Sequence, residues 1–159
     1  MFFVEGREVN QGSKVNCPRI PKRWIRVTAP VYARFLFASR PDVMGKVLGI
    51  VYRAIATHLS HKAGYTKASS QTGAVTLIQC FGGALNLNVH YHMLFPDGVY
   101  IEAKNGTLRF RRVKAPTIDE LSRLTHTIAH RVGGYLERRG LPVTLNAEVC
   151  WSVIPAMPI

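Results

Sequence analysis

Acidic residues are scarce in this chain. Nine Asp and Glu stand against 21 Lys and Arg, for a formal charge of +12. The imbalance makes a polyanion the expected partner, because each phosphate neutralised by Lys or Arg releases condensed counterions. A merely soluble basic protein is the plainer alternative. Cysteine is scarce as well: Cys17, Cys80 and Cys150 are odd in number, far apart and form no CxxC pair. That leaves a disulfide framework and a cysteine zinc site without support. No apolar run is long enough to span a bilayer and no basic amphipathic helix stands out, so no membrane partner is expected. Met1-Phe2-Phe3-Val4 meets Glu5 and Arg7 at once. This is too short for a signal-peptide core, and a cytoplasmic location follows as the expectation. The motifs GxxxxGK[ST], GxGxxG and GxSxG are missing, which leaves nucleotide-binding and nucleophile-elbow chemistry without support.

What is present fits one domain of 159 residues. Residues 1–20 are polar, carry Gly6, Gly12 and Pro18, and lack periodicity; they are expected to form a loose arm. Trp24 to Thr28 alternates as a first strand would. Two helices joined near Ser39-Arg40-Pro41 are expected between Val31 and about Leu59, the second with an apolar stripe from Val43 to Leu59 that denotes core packing. Ala74 to Cys80 is expected to be a central strand. Pro96-Asp97-Gly98 is a turn in which Gly would allow φ > 0. Val99–Glu102 and Leu108–Arg111 form a hairpin around Lys104-Asn105-Gly106. Thr117 and Glu120 supply a capping box for a helix from 118 to about 138, ended by Gly140. Leu141 to Ile159, with two prolines near its end, is expected to be a poorly ordered tail or an edge strand. The fold class is α+β, with a mainly antiparallel central sheet and flanking helices.

Asn88 to Pro96 holds the most informative pair. His90 and His92 lie two positions apart in a run that otherwise resembles a buried strand, so they share one face while Val89, Tyr91 and Met93 take the other. Either each imidazole has its own buried partner, or the two are ligands of one divalent metal. Gln79 on the preceding strand is a candidate third ligand, as is Asp97 just past the motif. Ile118, Leu121, Leu124, Ile128, Val132 and Leu136 form the apolar face of the last helix, so His126 and His130, four apart, fall on its solvent side, and they lack an intervening HExxH glutamate. His58 and His61 sit at a helix end, where a cation complements the dipole. Arg109, Arg111, Arg112 and Lys114 form a basic run. They would contact a DNA backbone, or else be a solvated edge that resists strand pairing.

Beyond the pair itself, Gln71-Thr72-Gly73-Ala74-Val75-Thr76-Leu77-Ile78-Gln79, Phe81-Gly82, Ala84-Leu85-Asn86-Leu87-Asn88, His90-Tyr91-His92 and Asp97-Gly98-Val99-Tyr100 resemble the core of rolling-circle insertion-sequence transposases. These belong to the HUH class, named for His-hydrophobe-His. The resemblance runs from about Pro21 to Gly140, through Ala38-Ser39-Arg40-Pro41 and Lys114-Ala115-Pro116-Thr117. HxH alone carries little weight, whereas GAVTLIQ-x-FG-x-ALNLN-x-HxH is highly specific.

The resemblance implies an HUH-endonuclease-like fold in which His90 and His92 hold Mg²⁺ or Mn²⁺. The ion polarises the scissile phosphate of single-stranded DNA at the element ends. A tyrosine on a later helix attacks, forming a 5′-phosphotyrosine link and leaving a 3′-OH. Imidazole ligands favour Mn²⁺ somewhat. Family members also carry an N-terminal cysteine-rich zinc region that nothing here matches, and their nucleophile lies beyond the matched stretch. Tyr135 is the one catalytic candidate, although family members often carry a packing aromatic there and its apolar face agrees with packing. The expectation is therefore a truncated transposase: arm 1–20, partial HUH catalytic domain 21–140 and divergent tail 141–159. It would bind single-stranded DNA and metal, without strand cleavage. The rival readings are a non-enzymatic DNA-binding module and a competent endonuclease using Tyr135.

Overall fold

The computed structural model of the protein describes residues 22–82, 86–141 and 152–155. The arm expected at 1–20, Cys17, Cys150 and most of the tail at 141–159 lie outside the described residues. β1 (Lys22–Thr28) leads into α1 (Val31–Ser39) and α2 (Pro41–Lys62). β2 (Ser70–Gln71), β3 (Val75–Phe81), β4 (Leu87–Pro96), β5 (Gly98–Glu102) and β6 (Leu108–Arg112) follow, then α3 (Ile118–Arg138) and β7 (Ser152–Pro155). The strands form two sheets, β3-β4-β1-β7 and β2-β5-β6, with every pairing antiparallel. The fold is α+β.

Local chemistry sets the helix limits. Arg40 precedes a proline, which disfavours the helical region, and its φ −128° and ψ 79° break α1 from α2. Pro41 then opens α2, where its missing N–H is no loss. At the start of α3 the Thr117 N–H donates to Glu120 Oε2 (2.7 Å) and the Glu120 N–H donates to Thr117 Oγ1 (3.3 Å), completing the capping box. Both long helices end alike. Gly64 (φ 83°) and Gly140 (φ 62°) take the left-handed turn. The Tyr65 and Leu141 N–H groups reach back to the carbonyls of Ser60 and Leu136. The Lys62–Glu120 ion pair ties the end of α2 to the start of α3, and Arg139–Asp42 (3.8 Å) ties the opposite ends, so the two helices run antiparallel.

One face of the four-stranded sheet is covered. Ile25 and Val27 of β1 and Val89, Tyr91, Met93 and Phe95 of β4 pack against Phe37 of α1, Val43, Val47, Val51 and Ile55 of α2, and Ile128, Val132 and Leu136 of α3. Tyr91 is fully buried, and its O–H donates to the Met44 carbonyl at 3.2 Å. Val99 and Ile101 of β5 join the same core. Each such side chain contributes about 1.5–3 kcal/mol by burial.

Three expectations change. The strand at 75–81 is an edge of its sheet rather than central, so Val75 and Leu77 stay 63% and 57% exposed. Ile118 occupies the first position of α3 and is 85% exposed, off the apolar stripe it was expected to join. Gly98 is not in the left-handed region; the described glycines with positive φ are Gly64, Gly106 and Gly140. Space demands it instead, because a Cβ there would lie 2.0 Å from the Arg111 carbonyl oxygen. Residues 152–155 form β7 on the free side of β1, with Pro155 at the sheet edge where a missing N–H is tolerated.

Gly98→Ala is expected to destabilise the fold by about 3 kcal/mol, since the contact is with backbone and cannot relax by rotation. Chemical denaturation of the variant measures this; an unchanged midpoint would contradict the packing.

Candidate functional site

The covered face of β4 decides what its other face displays. Because Val89, Tyr91, Met93 and Phe95 are buried, His90 and His92 point to the opposite, half-exposed face. Their rings lie 6.0 Å apart, edge to face at 75°. On one flank, β1 pairs Thr28 with His90 and Arg26 with His92. On the other, β3 pairs Gln79 with His90 and Leu77 with His92. A row of polar groups therefore crosses the middle of the open face, bordered by exposed Val75, Leu77 and Phe81.

Hydrogen bonds orient both imidazoles. His90 Nδ1 lies 3.0 Å from Thr28 Oγ1, so with Nδ1–H donating the Nε2 lone pair is free. The Gln79 Nε2 donates to the Phe81 carbonyl at 2.8 Å, so its Oε1 accepts from His92 Nε2–H, 3.1 Å away, and Nδ1 is the unprotonated nitrogen of a neutral His92. Burial lowers the His90 pKa first, and the nearby charges of Arg26, His92 and Arg34 lower it further. Both effects favour the neutral ring, the form that can ligate a metal.

Two imidazoles bound to one ion, with each nitrogen about 2.1 Å from it, have centroids within roughly 6.5 Å of each other. The observed spacing falls inside that outer limit, which corresponds to nitrogens on opposite sides of the ion, and the Gln79 oxygen that accepts from His92 lies beside them. Thr28 orients His90 in the way a partner behind a metal ligand does. An imidazole ligates only as the neutral ring and the Gln79 amide is uncharged, so an ion held there would keep its charge. No cluster of three or more His, Cys, Asp or Glu with metal-holding geometry occurs among the described residues. Asn88 Oδ1, two positions before His90, is buried with no hydrogen-bond partner among the described residues.

Other candidates are placed elsewhere. Asp97 is buried against Arg23, with Nε and Oδ1 2.9 Å apart, and is not brought to the histidine pair. Tyr135 is half-buried and packs on the core formed by α2, α3 and the covered sheet face, the side away from His90 and His92. Arg109, Arg111 and Arg112 belong to β6, an edge of the other sheet, and are exposed; Lys114 follows in an exposed connection. His126 and His130 are exposed on α3. Sequence reasoning missed Arg26, Arg34 and Thr28. The alternation of β1 was visible, but its pairing with β4 was not, and only that pairing brings Thr28 and Arg26 beside the histidines.

Residues 73–150, just under half of the chain, match the family described as "Putative transposase". The matched region begins at the lead into β3, contains both histidines and runs past Gly140. No curated protein and no solved structure matches the chain. The match supports a transposase and a role in transposition.

Arg26→Gln removes one of the charges that depress His90, so the His90 pKa is expected to rise toward the ordinary histidine value. Followed by NMR through the imidazole Cε1–Hε1 signals, an unchanged titration would show that Arg26 does not act on this ring.

Proposed function

We propose that this domain binds single-stranded DNA of a rolling-circle, HUH-class transposition system on its open sheet face. A Mg²⁺ or Mn²⁺ ion held by His90, His92 and Gln79 would supply Lewis-acid polarisation of the bound phosphate. The observation that carries this reading is the meeting of His90, His92 and the aimed Gln79 oxygen on an uncovered sheet face. With its Nδ1–H donating to Thr28 Oγ1, His90 keeps Nε2 free, and Gln79 is held by the Phe81 carbonyl. Arg26 and Arg34 make the surroundings of His90 electropositive, which favours an approaching phosphodiester. Exposed Leu77 and Phe81 alongside offer apolar surface on which bases can rest.

Tyr135 is not the nucleophile in this reading, because its ring packs in the helical layer on the far side of the sheet. Metal and strand binding are thus assigned to the described residues, and covalent attack is not. The alternative of a non-enzymatic DNA-binding module draws on the exposed arginines of β6 and requires no contribution from the histidines.

His90→Ala/His92→Ala is expected to weaken Mn²⁺ binding by more than about 100-fold and to abolish metal-dependent capture of a labelled single strand. Thr28→Val, which removes only the orienting hydroxyl, is expected to weaken Mn²⁺ by about 10-fold. Titration calorimetry and fluorescence anisotropy measure both. DNA binding that keeps its metal dependence in the double variant would favour the non-enzymatic module. Tyr135→Phe should leave any covalent protein–DNA product unchanged; a covalent adduct lost on that substitution would overturn the exclusion of Tyr135.

A further inference from the structure

The solvent side of the helical layer carries a second concentration of charge. Between α2 and α3 lie two open concavities of about 470 Å³ and about 370 Å³, and Arg131 lines both. Arg123 and Arg131 of α3 face His58 and His61 of α2 in the first. Arg131 and Arg138 face Arg53 in the second. The lone carboxylate among the lining residues is Glu120, which Lys62 already holds and whose pKa is depressed to about 2. Arg53, Arg123, Arg131 and Arg138 have no carboxylate partner among the described residues. Three of the six described carboxylates are held by other cations and none is in an ion pair with these four arginines, which leaves a positive stripe along the groove.

Spacing turns the stripe into a track. Arg123, Arg131 and Arg138 fall within an arc of about 80° on one side of α3. From the first to the last is about 22 Å of helix, the length of roughly six phosphates along one strand of a duplex. Gly49 and Gly134 lie under the guanidinium groups of Arg53 and Arg138: an added Cβ at either would stand 3.2 Å or 3.4 Å from the arginine Nη1. Missing side chains there let both arginines lie back along the groove rather than project from it.

We propose that the α2–α3 groove is a second nucleic-acid contact, binding a phosphodiester backbone on the side of the domain opposite His90 and His92. The proposal takes only the identity of the polyanion from the transposition reading. It requires no metal, and it lets one domain hold two segments of nucleic acid on opposite faces.

Metal-free binding tests the groove separately from the histidine face. Anisotropy with a fluorescein-labelled 20-nucleotide strand and a 20-base-pair duplex, both in EDTA over a salt series, gives affinity and salt slope. Arg123→Gln/Arg131→Gln is expected to weaken low-salt binding by about 10-fold and to reduce the log–log salt slope by about 1.4–1.8. The probe that loses more identifies the form of backbone held. Lys67→Gln/Lys104→Gln removes the same charge outside the groove and is expected to change affinity by less than about twofold. Arg53→Gln/Arg138→Gln repeats the test with a second pair, should the first variant fail to give a native unfolding transition. Equal losses in groove and control variants, or no loss in either groove variant, overturn the proposal. His90→Ala/His92→Ala should leave EDTA binding intact, so failure of the groove and failure of the metal site are read out independently.

Discussion

Packing of one side of β4 into the helical layer is the constraint on which the rest of the molecule depends. Val89, Tyr91, Met93 and Phe95 are at most 1% exposed, and they meet residues from all three helices. Side chains alternate with a period of two, so a slip of one residue would bury both imidazoles and expose four large apolar groups. At about 1.5–3 kcal/mol for each apolar side chain brought back into water, the alternative register is far out of reach. The orientation of His90 and His92 is thus set by residues that never touch them.

The same constraint separates the molecule into two working faces. With all the helices on one side of the four-stranded sheet, the other side keeps its histidines, Gln79 and Arg26 accessible. The helices in turn put their charged residues outward, and α2 and α3, clamped antiparallel by ion pairs at both ends, gather arginines from two chain segments into one groove. Scarcity of acid matters here. Glu120, Asp42 and Asp97 are committed to Lys62, to Arg40 and Arg139, and to Arg23, which leaves Glu102, Asp119 and Glu137 as the other described carboxylates against a much larger number of cations.

Much of this was legible in the chain. The helix break at Arg40-Pro41, the capping box at Thr117 and Glu120 and the hairpin around Gly106 each depend on contacts within a few residues. Such contacts are local, and their chemistry is written in the residue types. Where local pattern was not enough, expectation and structure diverged. The β-rich run at 75–81 has the composition of a buried strand, yet it lies at an edge because β1 occupies the other side of β4. Gly98 sits in a turn-like sequence, but its reason is the Arg111 carbonyl from β6, a neighbour thirteen positions away.

By itself, then, the sequence determined the α+β class, the charge that points to a polyanion, and the shared face of His90 and His92. Each follows from composition or from a period of two along one strand. Only the tertiary structure decided what surrounds that pair. It brought Thr28, Arg26 and Gln79 to the imidazoles, turned Asp97 to Arg23, and kept Tyr135 on the far side of the sheet. Strand order and helix placement minimise exposed apolar area over the whole chain, and no short window of residues carries that sum.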